Sequence, residues 1–128
     1  MSRGEAERKK RGRLSRSGDF ERAYREGRSH GNRFLVLYAF PRPDGEADGV
    51  RLGISAGRAL GGAVERNSVK RALREAFREA SGRLPDGHDF VLVARPDLVG
   101  LVEREGTSGA RDALDEVIRE SGLSRRSV

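Results

Sequence analysis

The stretch from Gly61 to Arg78, reading Gly-Gly-Ala-Val-Glu-Arg-Asn-Ser-Val-Lys-Arg-Ala-Leu-Arg-Glu-Ala-Phe-Arg, constrains this chain more than any other part of it. Placed on a helical wheel from Ala63 at about 100° per residue, with Arg66 at zero, it separates cleanly into sides. Arg66, Lys70, Arg71, Arg74 and Arg78 fall between roughly 0° and 140°, with Asn67 among them. Val69, Ala72, Leu73, Ala76, Phe77 and Ala80 fill the arc from about 240° round to 20°, the pattern of a helix with one face in a core. Ser68, Glu75 and Glu79 sit near 180–220°, which keeps the acids off the basic strip. An ordinary solvated face mixes its signs, whereas a dense strip of one sign is a phosphate-binding surface.

The balance of charge agrees. The 128 residues carry a formal net charge of +6 and a sequence pI of about 10.6, which favours a polyanionic partner. Residues 1–16 hold seven cations against two acids, while residues 97–120 hold three arginines against seven acids. A basic tail and a basic helix of one sign point to one shared partner. Of the 26 cations only Lys9, Lys10 and Lys70 are lysine, and arginine's planar fork suits bidentate phosphate contacts. Leu, Ile, Val and Phe make up 29 of 128 residues, so there is room for one domain with a small core. The absence of cysteine excludes a disulfide framework, a thiolate metal site and a cysteine nucleophile. No apolar run approaches the ~18–20 residues needed to span a bilayer, and no apolar segment follows the charged N-terminus as in a secretory signal. The expectation is a soluble, cytoplasmic protein with no membrane partner.

Along the chain, residues 1–12 read as a disordered basic arm. Ser17, with Asp19 and Glu21 behind it, starts a helix over 17–26 that stops at Gly27. Residues 34–40 form an apolar strand ended by Pro41 and Pro43, and a turn over 44–49 leads back into a strand over 50–56. The basic helix follows a glycine-bracketed loop. A strand over 89–95 ends at Pro96, residues 106–109 read as a loop, and a last helix covers 110–120 with Ala113, Leu114, Val117 and Ile118 at core spacing. Residues 121–128 are a flexible tail. Helices packed on one small sheet make a two-layer α/β (α+β) sandwich.

Residues able to do chemistry are sparse. His30 and His88 are isolated, and neither a His-x-x-x-His pair nor a Glu-x-x-His pair forms a ligand set. His88 reads as a surface turn residue. Glu75 and Glu79 lie one turn apart, but Arg71, Arg74, Arg78 and Arg83 around them indicate ordinary helix ion pairing. Gly57-x-x-x-Gly61-Gly62 lacks the Lys-Ser/Thr of a phosphate-binding loop, so no nucleotide cofactor is indicated. The sequence offers no catalytic residue and no protein metal site.

The motif Gly-x-Ala-Val-x-Arg-Asn-x-x-Lys-Arg-x-x-Arg-Glu-x-Phe-Arg, Gly61 to Arg78, resembles the signature of the bacterial ribonuclease P protein family. Three other segments resemble the same family in the same order: Leu14-Ser15-Arg16-Ser17-Gly18-Asp19-Phe20-Glu21-Arg22-Ala23-Tyr24, Arg51-Leu52-Gly53-Ile54-Ser55, and Asp89-Phe90-Val91-Leu92-Val93-Ala94-Arg95. The likeness covers residues 13–120. It departs from the family pattern at Ser68, where a third cation is usual, and at Ala59 and Pro96, where second cations usually follow Arg58 and Arg95.

The resemblance implies a mixed four-stranded sheet with three helices, one further short strand near 29–32, and a left-handed βαβ crossover around the basic helix. Left to general rules, the crossover would be right-handed. It also implies an RNA-binding subunit of ribonuclease P, in which an RNA performs the hydrolysis with bound Mg²⁺ and removes the 5′ leader of precursor tRNA. Arg66, Asn67, Lys70, Arg71, Arg74 and Arg78 would then lie on the catalytic RNA. Phe20, Tyr24, Tyr38, Ser55, Arg58 and Arg95 would receive the leader, which binds by stacking beside cations. From the residues alone Phe20 and Tyr24, four apart on one helix face, are a core pair as readily, and Tyr38 shares a strand face with Phe34, Val36 and Phe40. A different RNA-binding module, such as a ribosome-associated protein, uses the same kind of helix. A DNA-reading helix would carry polar base-reading residues, whereas this strip is nearly all arginine.

Overall fold

The computed structural model describes residues 28–41, 50–85 and 87–123. Four strands, β1 (Arg28–Gly31), β2 (Leu35–Pro41), β3 (Val50–Ser55) and β4 (His88–Ala94), form one sheet in the order β1-β2-β4-β3. β2 is antiparallel to both β1 and β4, and β3 is parallel to β4, so the sheet is mixed. Parallel neighbours cannot be joined by a hairpin, and helix α1 (Ala63–Ala80) makes the connection between them. Helix α2 (Asp97–Ser121) follows β4. The helix expected over 17–26 lies outside the described residues.

Side-chain alternation builds two layers of unequal size. Leu35, Leu37 and Ala39 of β2 and Phe90, Leu92 and Ala94 of β4 point into the main core with α1 and α2. On the other sheet face Phe40 and Val91 are fully buried in a second cluster, with Tyr38 and Val93 against it. β4 lies inside the sheet and is covered on both faces, which explains its unbroken apolar run. β2 runs one residue beyond the expected strand. Pro41 pairs with His88 at the last rung of the ladder, where a missing N–H costs least.

All six apolar positions assigned by the wheel are buried in α1, and Phe77 meets Phe90 at 5.6 Å between ring centroids, tilted by 55°. The helix begins at Gly62, whose N–H donates to the Glu65 carboxylate at 2.9 Å. Glycine has no side chain to return the bond, so this is half of a reciprocal capping pair. Against α2 the helix is joined by Arg111–Glu79 at 3.1 Å, and the 3-10 turn that follows it by Arg83–Asp115 at 2.6 Å, solvent-facing pairs worth little each.

α2 corrects the expected loop over 106–109 and the helix start at 110. The helix begins at Asp97, burying Leu98, Leu101 and Val102, and is interrupted at Gly106 alone, with φ 65° and ψ −148°. A side chain is strained there, which is why glycine sits at the kink. Gly109 serves a different purpose: a Cβ there would meet Leu101 Cγ at 2.9 Å and the Leu101 carbonyl oxygen at 3.2 Å. Two glycines that read as a loop therefore make a tight kink within one helix. The expected tail also begins too early, since α2 includes Ser121 and Leu123 packs against the core.

The β1–β2 turn is held by Asn32. Its Oδ1 accepts from the Phe34 and Leu35 N–H groups at 2.9 and 3.0 Å, and its Nδ2 donates to the Ala113 carbonyl at 3.1 Å and Glu116 at 2.7 Å. One side chain thus shapes the hairpin and ties it to α2.

Candidate nucleic-acid interface

The core contacts of α1 turn its opposite side outward. Asn67, Arg71 and Arg78 are exposed, and Arg66, Lys70 and Arg74 are half-buried. Asn67, Lys70, Arg71, Arg74 and Arg78 line a shallow groove of about 330 Å³ along the helix. Glu75 lines it too, a correction to the wheel, which kept the acids off the strip. It stands about 40° from Arg71 and one turn from Arg78, close enough to share the groove wall. Among the described residues no acidic side chain pairs with Arg66, Lys70, Arg71 or Arg78. The Nε of Arg66 is buried without an acceptor among them. Their charge is therefore not neutralised within the described protein, as a phosphate-binding surface requires.

The second expected set is spread over the sheet face that α1 and α2 do not cover. Across that face Tyr38 pairs with Val91 and Val91 with Gly53; the next row is Val36, Val93 and Ser55. With strands about 4.8 Å apart, Tyr38 and Ser55 lie roughly 10–12 Å from one another across β4. Tyr38 and Ser55 are half-buried. Arg58, in a 3-10 turn after β3, and Arg95, after β4, are exposed near the carboxyl ends of the parallel pair. The Arg95 backbone N–H donates to the Phe34 carbonyl at 2.9 Å, which fixes where its side chain departs. Phe20 and Tyr24 lie outside the described residues.

Sequence reasoning missed the buried ion pair on this face. Asp89, with 0% exposure, receives the Arg51 guanidinium at 2.8 Å from Nε and 2.6 Å from Nη2. Arg51 and Asp89 are register partners in the parallel pair, and Phe40 stands across from Asp89 on the other side. A carboxylate at the start of an otherwise apolar strand was the available signal, but the register that sets Arg51 opposite Asp89 is not readable from sequence. His88 is likewise not a turn residue: it opens β4 with its ring stacked on Phe90 at 6.1 Å. Among the described residues no three His, Asp or Glu side chains converge to hold a metal. No helix among them is long and apolar enough to cross a membrane.

A strip of cations, four of them without an acidic partner among the described residues, on a helix packed over a small mixed sheet with an aromatic on the far sheet face, describes a nucleic-acid-binding α+β protein. The Ribonuclease P family profile matches residues 9–117. The "Ribonuclease P protein component" of Clostridium acetobutylicum is 36% identical over 114 residues, covering 89% of this chain and 92% of that one. That of Bacillus pumilus is 32% identical over 115 residues, covering 90% and 92%. Among solved structures, the RNase P protein of Staphylococcus aureus superposes with a TM-score of 0.75 at 30% identity, covering 88% of this chain and 96% of that one. The Thermotoga maritima protein gives 0.71 at 34% identity, covering 84% and 96%. The chain belongs to the ribonuclease P protein family, the RNA-binding subunits of the endoribonuclease that processes the 5′ ends of tRNA.

Proposed function

We propose that α1 lies on the RNA component of ribonuclease P through Arg66, Asn67, Lys70, Arg71, Arg74 and Arg78. The observation that carries this reading is a cationic strip in which Arg66, Lys70, Arg71 and Arg78 have no acidic partner among the described residues, Glu75 being the one acid beside them. The 5′ leader of precursor tRNA runs over the other sheet face, with Tyr38, Phe20 and Tyr24 as stacking platforms and Ser55, Arg58 and Arg95 as polar contacts. Hydrolysis in this reading belongs to the RNA and the Mg²⁺ held mainly by it, the metal stabilising charge that builds on the phosphate. The chain acts in the cytoplasm as one domain from residue 13 through Leu123, with a basic arm over 1–12. A third helix over 17–26 and a left-handed β3–α1–β4 crossover belong to the same reading.

The physics follows from charge. Catalyst and substrate are both polyanions, and a protein that contacts several phosphates releases their condensed counterions. Fewer metal ions are then needed to hold the two together. Adding the purified chain to ribonuclease P RNA and precursor tRNA at low Mg²⁺ is expected to restore cleavage that the RNA alone does not perform. Absence of rescue at every protein concentration would remove the proposal.

Tyr38→Ala tests the leader face. Loss of one stacking contact is expected to weaken precursor tRNA binding by about 1–3 kcal/mol, with mature tRNA, which has no leader, unaffected. Equal losses for both tRNAs, tracking a lowered melting temperature, would mean that Tyr38 serves only to pack on Phe40 and Val91.

A further inference from the structure

We propose that Val64 makes an apolar contact with a nucleoside of the RNA component, on its sugar or base face, and so sets where the cationic strip sits on that RNA. The proposal rests on the reading that α1 lies on this RNA. Among the described residues Val64 is the only large apolar side chain that is exposed, at 78%. It is the second residue of α1, at about 160° on the wheel, between Arg71 at about 140° and Glu75 at about 180°, so it stands at the head of the helix on the edge of the cationic side. The residues leading to it, Ala59, Gly61, Gly62 and Ala63, are small and exposed, and nothing bulky there fences it from a flat partner.

Local folding gives no reason for valine here. A β-branched side chain is a poorer helix former than alanine, and an exposed one contributes nothing to the core. Single exposed apolar residues are common, and it is position that decides in this case. Phosphate contacts orient a protein on RNA but carry little information about which segment is bound. A cationic strip can therefore slide along any duplex or strand of suitable charge. One methyl-bearing side chain at the edge of the cations finds no favourable contact on a phosphate, and is satisfied only by the less polar surface of a sugar or an unstacked base, as RNA loops and shallow grooves present. Val64 would thus convert electrostatic attachment into a defined register.

The test is a salt titration of binding to ribonuclease P RNA with the full chain, comparing wild type, Val64→Ala, Val64→Thr and Lys70→Ala. Val64→Ala is expected to weaken affinity by roughly fivefold to tenfold at every salt concentration, since about two carbons leave an apolar contact. The log–log salt slope and the melting temperature should stay at wild type. Val64→Thr, nearly isosteric, should also weaken binding. Lys70→Ala should instead make the slope shallower by roughly 0.7–0.9. Wild-type affinity in both Val64 variants while Lys70→Ala weakens binding overturns the proposal and leaves the helix assignment standing. Wild-type affinity in all three overturns both. A change of slope in Val64→Ala, or a loss seen only for precursor tRNA binding to the assembled holoenzyme, also overturns it, because the contact would then be electrostatic or made to the substrate.

Discussion

A chain carrying Lys70→Ala, Arg71→Ala and Arg78→Ala together is expected to bind the RNA component roughly 100-fold or more weakly at about 0.1 M salt, with a salt slope shallower by about 2–3. Each cation that meets one phosphate contributes roughly 0.7–0.9 to that slope, and the effect on affinity multiplies. Arg71 and Arg78 are exposed, Lys70 is half-buried, and none has an acidic partner among the described residues. Removing them therefore leaves no carboxylate unpaired, and alanine is the better helix former. The melting temperature should hold, which separates this loss from unfolding. Weakened binding with an unchanged slope would show that the three side chains do not face phosphates. A collapse of the fold would show that the strip is structural.

The strip was legible because a helix makes side-chain direction a simple function of position, and the six buried residues of α1 are those the wheel assigned. The strands were legible for a similar reason, to within a residue at each end. What escaped depends on partners distant in sequence. Asn32 looks like any turn residue until Ala113 and Glu116 arrive beside it from α2. Asp89 and Arg51 are 38 positions apart and meet only because β3 and β4 are parallel neighbours. Gly106 and Gly109 read as a break of several residues, whereas in the fold only Gly106 leaves the helix and Gly109 sits within it against Leu101. At the candidate site, Tyr38 is half-buried against Phe40 and Val91, so packing accounts for part of its surface and leaves part open.

The Arg51–Asp89 pair is expected to respond unequally to removal of its two partners. Arg51→Met leaves a carboxylate with 0% exposure beside Phe40 and Val91, without the guanidinium that meets both its oxygens. Breaking a buried pair in this way costs about 3–5 kcal/mol. Asp89→Leu leaves Arg51 instead, whose side chain is already 34% exposed and regains water at its outer edge. That variant should lose less, about 2–3 kcal/mol. The double variant should recover much of the loss, because an apolar pair in the same space carries no desolvation penalty, so the coupling between the two sites should reach or exceed about 3 kcal/mol. Urea midpoints of the four chains measure this directly. The pair matters to function through position: it lies one row from Tyr38 and Gly53, on the sheet face proposed for the leader. A double variant as stable as wild type but impaired in telling precursor from mature tRNA would place Arg51 among the leader contacts. Equal losses from both single variants, adding without coupling, would show that the two side chains do not act as a pair at all.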